Sequence, residues 1–540
     1  MPAPREDDLD TGEDNSMGWQ AAGKGGAVAA GKQESVDAGI SILEAGGNAA
    51  DAAVATILAL SITDYGLFAI GGEIPFMIYD AQAGEVKVLN GLGGAPSDPD
   101  AIAWYYENGI PSGGHIKAAP VPGAVALCLD ALRMYGTMSF GNVVQPALHL
   151  LETAERDWYP LLAATLGGLV DAEASSSGSR EDGIQAAYDR FYRGDVADDL
   201  EAWYIEGGSF LRKADLDLHT TRIEDPVSVE YRGYTVCKCG PWTQGPSLLQ
   251  ALRLMEGFDL RSMGHLSADT IHLTAEALKL AFADRDEYYT DPEFGAVPMD
   301  ALLSDEYAAI RRPLIDMATA SAERRPGDPY AMKAVKAAGP DEPWGEGTTT
   351  CCVADRWGNV VSATPSCNAP AGGGVTGVAQ GNRLRCMNTN RDHPNHIEAR
   401  KRPRITLTPT LILRDGKPVG AISVAGGDLQ DQTTLNVLLN VVEFDMPPAE
   451  AVTMSRFSTS HHENSFSPAP DRSDAITRLQ DLALHVGIDG AVKADLENRG
   501  HAVRVTDGAI ANPVMIWLDA DGTMRAAGDH RAGRHAGAID

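Results

Sequence analysis

Basic residues are scarce in this chain. Lys and Arg total 44 against 75 Asp and Glu, and the net charge is −31 at neutral pH. A field of that sign repels phosphate backbones and anionic bilayers, so neither nucleic acid nor a membrane surface is expected as a partner. Cysteine is sparse and odd in number: Cys128, Cys237, Cys239, Cys351, Cys352, Cys367 and Cys386. No CxxC pair occurs among them, which removes the spacing of a disulfide framework or a structural zinc site. Reduced thiols are expected, with no metal and no cofactor. The opening MPAPREDDLDTGEDNSMGWQ has no basic start followed by an apolar run, so it does not read as a secretory signal. The most apolar stretch, 49–62, is too short to span a bilayer and carries Asp51. A cytoplasmic location is the default expectation. There is no internal repeat, no phosphate-loop signature and no dinucleotide fingerprint.

What is there is the balance of a folded protein. Over 540 residues, 44% are hydrophobic and 22% charged, enough for one large core or two ordinary domains. Residues 1–25 are expected to form a disordered acidic leader. Val36, Ile40 and Leu43 recur at helical spacing behind a Ser35 N-cap, and Gly46-Gly47 stops that helix. An Ala-rich helix follows Asn48, then a hairpin of strands over 76–79 and 86–89. The middle reads as helices over 124–135, 140–154 and 267–286. A surface loop falls over 172–182, and a strand with a Gly break over 229–236. The Pro- and Gly-rich stretch 312–347 reads as a mobile connector. Beyond it come strands over 348–355, 360–364, 406–413 and 421–424, a helix over 432–442, and a strand pair over 514–518 and 524–526.

The sharpest chemical feature is Gly347-Thr348-Thr349-Thr350-Cys351-Cys352-Val353-Ala354-Asp355-Arg356-Trp357-Gly358-Asn359. A connector ends in a glycine, and a threonine then begins a strand. The hydroxyl of Thr348 can attack the preceding carbonyl, form an ester, and leave a new N-terminus once water opens it. Glycine at 347 removes side-chain bulk and tolerates strained dihedrals. The freed α-amine of Thr348 can then accept the proton of its own hydroxyl, so no histidine is required. A threonine run at a strand head is also ordinary β structure. The second feature is Gly426-Gly427-Asp428 between a strand and a helix. Its backbone amides suit a developing oxyanion, or form nothing more than a tight turn. Gly71-Gly72 and Gly372-Gly373-Gly374 read as loops near a ligand or as close backbone crossings. His461-His462 has no companion at metal-ligand spacing and reads as packing or surface.

Taken together, the chain resembles the gamma-glutamyltransferase family of N-terminal-nucleophile hydrolases, from about Gly25 to Arg534. The matching segments are EAGGNAADAAVA, AIGGEIPFMIYD, VPGAVALCLDALRMYG, EYRGYTV, EGFDLRSMGHLSADTIHLTAEALKLAFADRDEYYTDPEF, GTTTCCVADRWGNVVSAT, KRPRITLTPTLILRDGKPV, AGGDLQDQTTLNVLLNVVEFDMPPAEAV and GDHRAG, in family order. The resemblance implies an α+β fold, the four-layer αββα sandwich, and a precursor split into a heavy chain (26–347) and a light chain (348–540) that stay associated. It places the nucleophile at Thr348, the oxyanion pair at Gly426 and Gly427, and nucleophile supports at Ser366 and Asn368. Thr350, Leu92, Thr406 and Asp428 are the expected substrate contacts. A small-molecule amide substrate and a dimer of heavy–light pairs are also implied.

The family's Asp-x-Arg-Glu-x-Ala-Pro segment reads Asn90-Gly91-Leu92-Gly93-Gly94-Ala95-Pro96 here. Leu92 replaces the arginine that grips the donor carboxylate, and an apolar side chain cannot make that bidentate contact. Ile405-Thr406 replaces the Ser-Ser that also grips it. The reaction centre is kept while the donor pocket is rebuilt, most similarly to the cytoplasmic gamma-glutamyltransferase-like branch. An amidase passing its acyl group to water is the first expectation. A silent family member that binds a ligand or partner is the alternative, and a cysteine hydrolase using Cys351 or Cys352 is a poorer third.

Overall fold

The computed structural model describes residues 19–111, 114–153, 156–336, 348–367, 372–466, 468–472, 476 and 478–540. Two seven-stranded antiparallel sheets form its centre. The first runs Gln20–Gly23, Met524–Gly528, Asn512–Leu518, Lys417–Ala425, Thr410–Arg414, Tyr234–Lys238, Val227–Tyr231. The second runs His535–Ile539, Gly26–Ala30, Cys351–Asp355, Val360–Ala363, Ile74–Asp80, Glu85–Gly91, Arg222–Glu224. Alternate residues of both sheets meet face to face: Ala27, Met77 and Val88 from one pack with Leu411, Val514 and Ile516 from the other. The outer face of the second sheet is covered by the helices Gln33–Glu44, Ala49–Thr63, Ala124–Tyr135 and Tyr159–Ser175. The outer face of the first is covered by Pro246–Met255, Ala268–Tyr288 and Gln430–Val442. Each layer buries the apolar side of its neighbour, which is the αββα sandwich.

Both sheets are built from sequence on either side of position 348. Gly26–Ala30 pairs with Cys351–Asp355, Ile74–Asp80 with Val360–Ala363, and Tyr234–Lys238 with Thr410–Arg414. The Ala-rich helix Ala49–Thr63 is buried over nearly its whole length. Its Asp51 completes a capping box with Asn48 and also accepts from the Thr137 and Met138 amides and the Thr137 hydroxyl. Asp51→Ala strands those donors in the core. It is expected to cost about 3 kcal/mol, read as a fall in the urea midpoint. A midpoint equal to wild type would remove that role from the carboxylate.

Several expectations are corrected. The leader does not extend to residue 25, because Gln20–Gly23 pairs in register with Met524–Gly528. Ser35 lies inside the first turn of a helix that starts at Gln33. The stretch 172–182 is mostly helical: one helix runs to Ser175 and the next starts at Arg180, capped by Ser179 and Asp182. The strand expected from Thr348 begins at Cys351. Residues 315–336 are not a free connector. Arg311 donates to the carbonyls of Arg325 and Ala334, and Gly327 N donates to the buried Asp284. Residues 337–347 fall outside the described residues.

Candidate active site

The strand Cys351–Asp355 lies inside the second sheet and is wholly buried. Its far end is fixed by the Asp-x-x-Gly-Asn turn. Asp355 accepts from the Trp357 and Asn359 amides, from Asn359 Nδ2, and from Ala49 N at the head of the Ala-rich helix. Gly358 supplies the positive φ of +91° that closes this turn. The strand is thereby locked in length and register, and the threonines at its head are positioned.

Thr348 is buried, with 2% of its surface exposed. Its Oγ1 lies 3.5 Å from Ser366 Oγ and 3.3 Å from Gln430 Nε2. Thr349 is held separately: its amide donates to Pro365 O and its hydroxyl to Asp64 Oδ2 at 2.5 Å. Arg534 pairs with the same Asp64 oxygen at 3.0 Å. Thr350 is fully buried and its hydroxyl has no hydrogen-bond partner. Of the three threonines, Thr348 is the one whose oxygen meets Ser366 and Gln430.

Gly426 and Gly427 end the strand Lys417–Ala425 and open a short turn into the helix Gln430–Val442. Their φ angles are +151° and +59°, which side chains rarely adopt. Gln430 is the first residue of that helix, and its Nε2 reaches Thr348. The partly positive helix N-terminus and the glycine turn therefore share one corner with Thr348. Asp428 faces elsewhere. Its Oδ1 accepts from Arg285 at 2.6 Å and from the Ser465 hydroxyl at 2.5 Å, and its Oδ2 accepts from Ser465 N. Burial alone would raise its pKa, but the Arg285 guanidinium, the Ser465 hydroxyl and the charge of Arg404 among its neighbours together outweigh this, and the carboxyl is held down at about 2. It stays ionised and holds the glycine turn to the helix Ala268–Tyr288.

Leu92 is 1% exposed and packs between the sheets with Trp242, Ile405 and Leu407. It contributes to the core where the sequence suggested a substrate contact. Thr406 is buried and its hydroxyl has no partner. Asn368 and Gly347 lie outside the described residues. Gly71 and Gly72 are close backbone crossings: a Cβ would come 2.3 Å from Ala379 O and 2.2 Å from Ser366 O. His461 and His462 are buried packing residues, and burial with nearby cations pulls His461 down to about 3. Cys351 and Cys352 are wholly buried, and burial pushes both thiols up, Cys352 to about 12. A thiol held protonated in this way is a poor nucleophile, which argues against the cysteine-hydrolase reading.

Sequence reasoning did not single out Gln430, Asp64, Arg534, Glu73 or Arg383. Glu73 carried a signal, being a carboxylate inside an otherwise apolar run from Ala69 to Met77. The others are brought to Thr348 and Thr349 from distant sequence and gave no local signal.

The model of the family described as gamma-glutamyltranspeptidase matches residues 35–154 and 179–539. This chain belongs to the gamma-glutamyltranspeptidase family. The glutathione hydrolase proenzyme of Bacillus subtilis (strain 168) is 29% identical over 546 residues, covering 94% of this chain and 90% of that protein. The Acylase ACY 1 proenzyme of Pseudomonas sp. (strain SE83) is 29% identical over 561 residues, covering 95% and 93%. A crystal structure of cephalosporin acylase from Bacillus halodurans is 25% identical, with a TM-score of 0.81 over 100% of both chains. The chain is therefore an enzyme, a gamma-glutamyltranspeptidase-family member with the N-terminal-nucleophile fold.

Proposed function

We propose that this family member cuts its own backbone between Gly347 and Thr348, then cleaves a small acyl amide through an ester on Thr348 Oγ1. The carrying observation is the meeting of Thr348 Oγ1 with Ser366 Oγ and Gln430 Nε2 beside the Gly426-Gly427 turn. In turnover, Oγ1 attacks the amide carbon and its proton passes to the Thr348 α-amine. The Gly426 and Gly427 amides stabilise the oxyanion, and the leaving amine departs with the proton. Water then attacks the ester and regenerates the threonine. The sheet pairing across position 348 supports a heavy chain (26–347) and a light chain (348–540) that stay together, since separating them would break both sheets. Assembly as a dimer of such pairs and a cytoplasmic location belong to the same reading. All seven cysteines are free and buried, as suits a reducing compartment.

The packing of Leu92 into the core leaves no arginine at that position to clamp a donor α-carboxylate. We therefore expect small amides to serve at least as well as γ-glutamyl compounds. Purified, fully cleaved protein should release ammonia or amine from one or more of a panel containing glutathione, oxamate and simple acyl amides. Fully cleaved protein that releases nothing from any of them would favour the ligand-binding alternative.

A further inference from the structure

One buried ion pair touches the reaction centre from behind. Glu73 and Arg383 are 1% and 0% exposed, far apart in sequence, and joined at Glu73 Oε1 by Arg383 Nε at 2.6 Å and Nη2 at 2.5 Å. The same Nη2 donates to Ser366 Oγ at 2.5 Å. Ser366 Oγ is in turn 3.5 Å from Thr348 Oγ1. Burying two charges costs several kcal/mol each before their attraction is counted, so a wholly buried pair needs a reason beyond stability. Its position supplies one.

A guanidinium can only donate hydrogen bonds. Ser366 Oγ must accept from Arg383, so its own hydrogen is turned away from that side. Gln430 Nε2, which reaches the same Thr348 oxygen, also only donates. Glu73 holds two nitrogens of one rigid fork, which fixes where Nη2 points. Resting on the reading of Thr348 as nucleophile, we propose that Glu73 and Arg383 are positioning residues: the pair fixes Ser366 Oγ as the acceptor of the Thr348 hydroxyl and so holds Oγ1 in place. Ser366 Oγ holds the hydroxyl in the resting state, and Gln430 Nε2 donates to the oxygen as negative charge develops on it and its proton leaves to the α-amine. Neither Glu73 nor Arg383 touches the substrate. Because one oxygen performs both self-cleavage and turnover, the pair acts on both.

The test is Arg383→Lys, which keeps a cation against Glu73 but loses the fork that reaches Glu73 and Ser366 together. The expected result is a fall of about tenfold in kcat with KM unchanged, the effect of a nucleophile held less firmly in line. Self-cleavage should slow by a similar factor, with the melting temperature close to wild type. Glu73→Gln keeps an oxygen for Arg383 to donate to and should lose less than Glu73→Ala. Wild-type kcat and cleavage rate in Arg383→Lys would overturn the proposal. So would a fall in activity that only follows a lost folded fraction, or a rise in KM that carries the whole effect. Thr348→Ala run in parallel separates the two readings. If it is inert while Arg383→Lys behaves as wild type, the relay alone fails. If Thr348→Ala itself turns over, both fail.

Discussion

Thr348→Ala is expected to remain a single 540-residue chain and to show no measurable turnover. The substitution removes Oγ1, the one atom that reaches both Ser366 and Gln430. Neighbouring hydroxyls are poor substitutes. Thr349 Oγ1 is engaged by Asp64, and Thr350 Oγ1 is buried without a partner. Loss of the nucleophile in enzymes of this type costs a factor of about 10⁴ or more, the remainder coming from binding and oxyanion contacts alone. The fold should survive, because a buried threonine becomes a smaller residue with one methyl and one hydroxyl fewer. Denaturing gels and intact mass read the cleavage, and ammonia or amine release reads the turnover. Two bands from freshly purified Thr348→Ala would move the cleavage point elsewhere. Thr348→Ser, which keeps an oxygen, should recover cleavage in part.

Gly426→Ala is expected to lower kcat by about 10² while leaving KM within a few-fold. This is the loss seen when one oxyanion donor is displaced. The cause is steric. At φ +151° a side chain is strained, and a Cβ would lie 2.6 Å from the Cβ of Ala511, so the turn must shift. A shift there moves the amides of Gly426 and Gly427 away from the corner that Gln430 shares with Thr348. Steady-state kinetics on cleaved protein, with a melting curve to confirm folding, read the effect. A variant with wild-type kcat would show that this turn does not hold the oxyanion. A variant that folds but raises only KM would make the turn a substrate contact.

Asp355 shows how much of the site was legible beforehand. The Asp-x-x-Gly-Asn spacing pointed to a tight turn, and the structure shows one carboxylate accepting from two of its amides and one side chain, with Gly358 at positive φ. Such interactions are local, and local chemistry can be read from spacing. Counting back from that turn along the motif of the family the chain resembles places Thr348 at the head of the strand, although regular pairing starts only at Cys351. Leu92 shows the limit. Its segment matches the family's donor-binding segment, yet its side chain is buried in one core cluster with Trp242 and Ile405. Which side chains become core depends on what packs over them.

The chain's own order of residues determined the turn at Asp355 and the glycine turn before the helix Gln430–Val442, each of which depends on contacts within a few residues. The layer class and the choice of Thr348 among three adjacent threonines were implied by the resemblance to the family. The tertiary structure alone decided that Gln430 and Ser366 meet at Oγ1, that Asp64 and Arg534 take Thr349, and that Glu73 and Arg383 lie buried behind Ser366. Those partners are 17 to 470 residues apart in sequence. Bringing them together depends on two sheets stacking in one register, and no local pattern encodes that distance.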